Sequence, residues 1–410
     1  MATHKHSIPS LLVFGPQARP SPDDLAELRH ELTVNPRLSK AHAAALDLPK
    51  FWRDLVVLDS SLDQLPAESQ LHEFVEWLKG ERENPYCALR CPITLTFLLN
   101  FLIQMKQYLY FLRSVDIEER DDAQTFMLEI LKRGGVHGFC VGFLCAITVS
   151  LSRSEDDIAN HAVHGLRLAL AIGVYVDKDA ANEATTCISA RWRHKQVNAL
   201  DKALAVLKAY PDAYIAGITD ETSMTITIPD APLAGLLTVD SIALSILPRL
   251  ERLVQFFANT PDLQFPGPDN LQIRIRSATD GKAIYRGDLV RYALENSLLK
   301  PVNWYQTLTL AMADVPQKQK CIALAGLSNH FPLSLMKNPD IQLQLLQEVG
   351  ENGTEFCDKV SSTTAPELTS DSTNEGNGTE GSWVFASDED ESVDESATDA
   401  LPSGFPPPTL

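Results

Sequence analysis

Cys140 stands between two glycines in Gly138-Phe139-Cys140-Val141-Gly142, after Arg133-Gly134-Gly135-Val136-His137 and before the small, apolar run Phe143-Leu144-Cys145-Ala146-Ile147-Thr148-Val149. A Gly-x-nucleophile-x-Gly pentapeptide between a short extended piece and a helix predicts a nucleophile elbow. Such a turn is so sharp that its flanks must be glycine, and its nucleophile stands free at a helix N-terminus. With cysteine in that place, the helix dipole and the free N–H groups are expected to favour thiolate over thiol. The other six cysteines, Cys87, Cys91, Cys145, Cys187, Cys321 and Cys357, complete no zinc-type pattern. No metal and no bound cofactor are expected, and the thiols read as reduced.

The elements that must carry this turn alternate between strand and helix. Residues 11–17 predict a buried first strand that ends in a loop. Amphipathic helices are expected at 23–31, 51–58 and 68–79, the last with Leu71, Phe74, Val75 and Leu78 at helical spacing. Residues 93–113 predict a long helix whose aromatics, Phe101, Tyr108, Tyr110 and Phe111, read as core packing. The elbow and its helix follow, then a helix over 155–175. From about Val176 the texture turns β-rich. Strands are expected at 213–218 and 224–228, joined by a hairpin loop at 220–223, with a third at 238–244. Further on, 247–258 and 285–298 predict helices, 271–277 a strand and 321–326 a late buried strand.

A formal charge of −19 argues against nucleic-acid binding. It is unevenly placed: from residue 351 onward there are fourteen Asp/Glu against one Lys, which is −13 of the −19. That Ser-, Thr-, Gly- and Asn-rich tail, 351–410, is expected to be disordered. Within it, Trp383-Val384-Phe385 beside Asp388-Glu389-Asp390-Glu391 reads as a solvated linker before it reads as a docking motif. No run approaches the roughly 20 apolar residues of a membrane span, and the polar start of the chain has no signal-peptide core. A cytoplasmic protein with one folded region at 8–350 is expected.

Several separated segments agree with one family. The chain resembles the starter-unit acyltransferase (SAT) domain at the N-terminus of fungal non-reducing polyketide synthases, a divergent relative of malonyl-CoA:acyl-carrier-protein transacylases. Phe14-Gly15-Pro16-Gln17 looks like the family's first-strand motif, Gly138–Gly142 like its GxCxG, Arg167-Leu168-Ala169-Leu170-Ala171-Ile172-Gly173 like its carboxylate-arginine helix, and Pro301-Val302-Asn303-Trp304-Tyr305 like its PVxW segment. The resemblance implies an α/β fold of the acyl-carrier-protein transacylase type, with an α/β-hydrolase-like large subdomain and a ferredoxin-like small subdomain at about 176–246. It implies ping-pong transfer of a starter acyl group from acyl-CoA, through a thioester on Cys140, to the phosphopantetheine of an acyl carrier protein or polyketide synthase met in trans. Backbone groups of Gln17 and Val141 are implied around the oxyanion. In this register Ile172 replaces the arginine that would bind a malonyl carboxylate, so a simple acyl group is implied.

The pattern breaks at the general base. The family's histidine lies in a Gly-Arg-Phe-His-like segment after the third strand of the small subdomain, yet here there is no histidine between His194 and His330. Three readings stay open. The protein is a weakened relative, or a non-catalytic pseudo-transacylase, that keeps a carrier-protein or synthase binding surface. Alternatively His330, in the loop after the last strand, substitutes, with His137 a weaker candidate. Finally, the motif has been lost from the gene model at the abrupt Ser245–Ile246 junction. Loss of the base need not abolish chemistry, because a thiolate attacks a thioester unaided; slow self-acylation is expected. A generic cysteine hydrolase is a distant third function.

Overall fold

Leu11, Leu12, Val13 and Phe14 are apolar without alternation, as a strand covered on both faces requires, and they form β1 (Leu11–Phe14), which is wholly buried. The computed structural model describes residues 8–85, 92–114, 123–182, 185–192, 199–207, 213–229, 239–316, 318–327 and 330–346. The acidic tail with its Trp383 segment, and Cys87 and Cys91, lie outside them.

After β1 come α1 (Pro22–Val34), α2 (Ser39–Leu46), α3 (Leu48–Leu58) and α4 (Ala67–Leu78). Ser21 and Asp24 close a capping box on α1. The long α5 (Ile93–Ser114) is buried along nearly all its length. The Asp177 carboxylate caps it, accepting from the N–H groups of Ile93 and Thr94 at 2.9 Å each. Then come α6 (Ala123–Leu131), β2 (Val136–Gly138), α7 (Val141–Leu151) and α8 (Glu155–Asn182). The rest of the chain runs β3 (Thr185–Arg191), α9 (Ala199–Leu207), β4 (Tyr214–Asp220), β5 (Ser223–Pro229), α10 (Val239–Asn259), α11 (Leu289–Leu298), β6 (Val302–Asn303), α12 (Trp304–Ala313), β7 (Lys320–Ala325), α13 (Leu333–Met336) and β8 (Ile341–Leu345).

Two sheets result. The first is parallel throughout in the order β2-β1-β7-β8, with Phe14 level with both Gly138 and Ala325. Its central strands are covered by helices, as parallel sheets require. The second has the order β3-β5-β4-β6, antiparallel except where β6 joins β4 through Gly217–Val302 and Ile218–Asn303.

Two of the strands expected from the sequence are not formed. Residues 238–244 were expected as a strand, but α10 begins at Val239 and runs unbroken through Ser245 and Ile246. A short apolar run has no periodicity of its own. Here it is continued by Leu250, Leu253, Val254 and Phe257, all buried at helical spacing. The strand that completes the small sheet is instead β3, which lies earlier in the chain. Residues 271–277 form no strand beyond an isolated bridge between Arg276 and Ala283, because their N–H groups go elsewhere, that of Gln272 to the Ser150 carbonyl at 2.7 Å.

Candidate active site

The turn at Cys140 is fixed from both sides. Phe139 N–H donates to the Phe14 carbonyl at 3.0 Å, which carries the β1–β2 ladder one residue past its end. The chain then reverses: Gly142 N–H donates to the Phe139 carbonyl at 3.0 Å and Phe143 N–H to that of Cys140 at 2.9 Å. Cys140, at φ 57°, ψ −123°, is the only non-glycine residue with positive φ among the described residues. A Cβ on Gly138 would collide with the Gly142 carbonyl, and one on Gly142 with the carbonyls of Phe14 and Gly15. Strain of this kind persists only where the surroundings over-determine it.

The sulfur sits at the N-terminus of α7. Cys140 is part-buried, and its thiol donates to Gln17 Oε1 at 2.6 Å. The backbone N–H groups of Val141 and Gln17 both face the sulfur and favour its charged form, yet burial outweighs them and pushes the thiol up to about 12. This overturns the expectation of a thiolate. A helix terminus contributes at most about 2 kcal/mol, near 1.5 pKa units, whereas burial of an ionisable group moves it by up to about 3–5. At neutral pH Cys140 is a thiol.

His330 lies against the same loop: a Cβ on Gly15 would sit 3.8 Å from its Cδ2. Burial pushes its imidazole down to about 4, so it is neutral at pH 7. It is not among the groups hydrogen-bonded to the Cys140 sulfur. The segment that carries it is held firmly. Buried Trp304 donates its Nε1–H to the His330 carbonyl at 3.2 Å and stacks its ring on Phe139, centroids 5.5 Å apart at 28°. Ser334 donates its N–H to Asp220 Oδ2 at 3.1 Å and its hydroxyl to Oδ1. The PVxW tryptophan thus touches both the residue before the thiol and His330.

His137 is turned away from the sulfur. It is fully buried, bonded through Nε2 to the Gly134 carbonyl at 2.8 Å, and surrounded by Arg274, Arg276 and Asp314. Burial pushes it down to about 4. An unfolded histidine takes up its proton near 6.5, whereas folded His137 and His330 wait until about 4. Between those values the unfolded chain holds more protons, so stability is full above pH 6.5 and is lost as pH falls towards 4. The thermal midpoint is expected to drop through that window. His137→Gln should make the fall shallower by one proton, about 1.4 kcal/mol per pH unit.

Ile172 is completely buried in the core of α8. Arg167, one and a half turns earlier, pairs instead with Asp47 at 3.8 Å and lies over the Phe51 ring, on a groove of about 310 Å³ lined also by Lys50 and Phe256. Among the described residues no cluster of His, Cys, Asp and Glu is placed to hold a metal ion, and no helix is long and apolar enough to cross a membrane.

Sequence reasoning passed over one feature of the site. Asn100, Gln104 and Gln107 lie along one face of α5 and are all buried. Asn100 accepts from Ala18 N–H at 3.0 Å and donates to the Ala18 carbonyl at 2.7 Å. Gln104 donates to the Gly15 carbonyl at 2.9 Å. Gln107 accepts from Gly326 N–H at 2.7 Å and donates to the Gly326 carbonyl at 3.3 Å. Read as core packing, α5 hid them; three amides at i, i+4 and i+7 in a largely apolar helix were the available signal.

Comparison with known proteins bears on family and fold. Residues 53–239 match the family model described as "Starter unit:ACP transacylase in aflatoxin biosynthesis", SAT. The chain is 31% identical over 355 residues to 5-methylorsellinic acid synthase of Aspergillus terreus, which covers 80% of this chain and 13% of that protein. It is 31% identical over 337 residues to the non-reducing polyketide synthase dpfgA of Gibberella zeae, covering 76% of this chain and 16% of that one. It therefore spans a small fraction of the length of these relatives. Malonyl-CoA:acyl carrier protein transacylase from Helicobacter pylori superposes with a TM-score of 0.53 at 10% identity, covering 85% of this chain and 96% of that chain, which shows a shared fold. By sequence the chain matches the SAT domain over residues 53–239, and the relatives it resembles over most of its length are fungal non-reducing polyketide synthases.

Proposed function

We propose that the chain moves a simple starter acyl group from acyl-CoA to the phosphopantetheine thiol of an acyl carrier protein, by way of a thioester on Cys140. The observation that carries this reading is a cysteine held at a strained φ with two backbone N–H groups, of Gln17 and Val141, on its sulfur. Those donors are where an oxyanion forms when sulfur attacks a thioester carbonyl. In the first half-reaction the Cys140 S–H bond breaks, sulfur bonds to the acyl carbon, and the carbon–sulfur bond to coenzyme A breaks, the proton ending on the departing thiol. The second half-reaction repeats this with the carrier's thiol attacking and Cys140 leaving. His330, neutral and beside Gly15, is the proton carrier in this reading. Ile172 offers no donor to a carboxylate, which favours a plain acyl group over malonyl.

One observation favours a second reading. With the thiol pushed up to about 12 and, among the described residues, no imidazole bonded to its sulfur, a non-catalytic pseudo-transacylase that binds a carrier protein or synthase also accounts for the site.

Intact-mass spectrometry after incubation with acetyl-, hexanoyl- and octanoyl-CoA separates the two. An acyl adduct on the wild type, absent from Cys140→Ala, is the expected result. No adduct from any donor, with a carrier complex indifferent to Cys140→Ala, would leave the binding reading in its place.

A further inference from the structure

We propose that Asn100, Gln104 and Gln107 are positioning residues for acyl transfer: a ladder of amides on α5 that sets the Gln17 peptide against the sulfur and fixes Gly326 at the end of β7, on the way to His330. The inference rests on the acyltransferase reading, since it names what sets that site's geometry.

A helix that only packs would carry apolar side chains on this face. A buried amide is costly unless its hydrogen bonds are made, and these three make theirs to the backbone of the two loops that flank Cys140. Beyond Phe14 the chain leaves the sheet, and Gly15 N–H, bonded to the Ala325 carbonyl at 2.8 Å, is the last ladder contact. Pro16 and Gln17 then lie between two anchors on the same helix, Gly15 on Gln104 and Ala18 on Asn100. Gly326, where the chain leaves β7 towards His330, is gripped by Gln107 through both its N–H and its carbonyl. One rigid element thereby sets the spacing between the oxyanion donor and the histidine segment, and preorganisation of this kind is what an oxyanion site needs.

The three rungs are unequal. Asn100 makes a further bond to the Thr96 carbonyl at 2.8 Å, so its loss frees three contacts. Gln104 makes one bond and leaves its own Oε1 without a partner, so its loss should matter least.

The test uses Asn100→Ala and Gln104→Met in the full chain, with two readouts. The first is the rate of acylation by acyl-CoA against donor concentration. The second is iodoacetamide alkylation resolved by peptide mapping at Cys140, Cys145 and Cys321. The Cys145 sulfur lies 3.9 Å from the Phe101 carbonyl of α5, so it reports displacement of the helix itself, and Cys321 is a buried control in β7. For Asn100→Ala the saturating acylation rate is expected to fall at least tenfold with the half-saturating concentration within twofold. Cys140 alkylation should rise several-fold, because uncovering the thiol relieves its burial, the larger effect, at the expense of the Gln17 N–H, the smaller, while Cys145 and Cys321 stay protected. Gln104→Met, which breaks a single bond, should move both readouts in the same directions by a smaller factor. Should Asn100→Ala fail to fold, Asn100→Asp keeps the acceptor for Ala18 N–H, loses the donors, and is expected to move both readouts in the same directions. Unchanged Cys140 alkylation, or all three cysteines opening together, would overturn the proposal. If the wild type accepts no acyl group, the acyltransferase reading fails by itself, and the alkylation arm alone decides the positioning role.

Discussion

Gly142→Ala is expected to leave no stably folded protein. The added Cβ meets two backbone carbonyls at once, those of Phe14 and Gly15, and neither belongs to a side chain that could rotate away. Relief requires β1 to move, and β1 is the wholly buried strand between β2 and β7. Overpacking of a core commonly costs about 1–3 kcal/mol; backbone against backbone at the centre of the sheet belongs in the tail above about 4. Gly267→Ala is the matched control. A Cβ there meets nothing within 4 Å, and its φ of −65°, ψ of 165° suits alanine. It should be neutral or stabilising by about 0.4–1 kcal/mol through the unfolded chain. Soluble yield and urea midpoints of the two variants check the contrast. A folded Gly142→Ala with a wild-type midpoint would mean that the elbow is looser than these contacts imply.

The pH dependence of acylation is expected to separate two ways of using the same thiol. With Cys140 pushed up to about 12, only about one molecule in 10⁵ carries thiolate at pH 7. Unassisted attack should therefore quicken about tenfold per pH unit from pH 7 to pH 10. If His330 takes the proton, the rate should instead be flat from about pH 6 to pH 9, since an imidazole held at about 4 is neutral throughout that range. The expected profile is flat in the wild type. His330→Gln should turn it into the rising line and lower the rate at pH 7 by about 10²–10⁴. A rising line in both proteins would remove His330 from the mechanism.

The parts of the site that were legible in the sequence are those whose chemistry is local. Two glycines around a cysteine announce a sharp turn because the collision they avoid lies within the same five residues. Gln17 and Val141 were reachable through the resemblance, and the N–H groups of both face the sulfur. What stayed hidden depends on distance along the chain. The thiol's protonation is decided by how much protein encloses it, which no pentapeptide reports. The amides of α5 act on residues 82 to 219 positions away. The strand expected at 238–244 became part of α10 because its apolar residues continue a helical period downstream, while β3, at the centre of no motif, closed the small sheet.

The small sheet and the thiol share their moorings. β6 joins β4 and runs straight into Trp304, which stacks on Phe139, and Asp220 at the end of β4 holds Ser334 beyond His330. A body fastened in this way does not open like a jaw. For the acyl transfer proposed above, the sulfur is then reached by something slender, the acyl group arriving on the end of a long flexible arm rather than within a closing cleft.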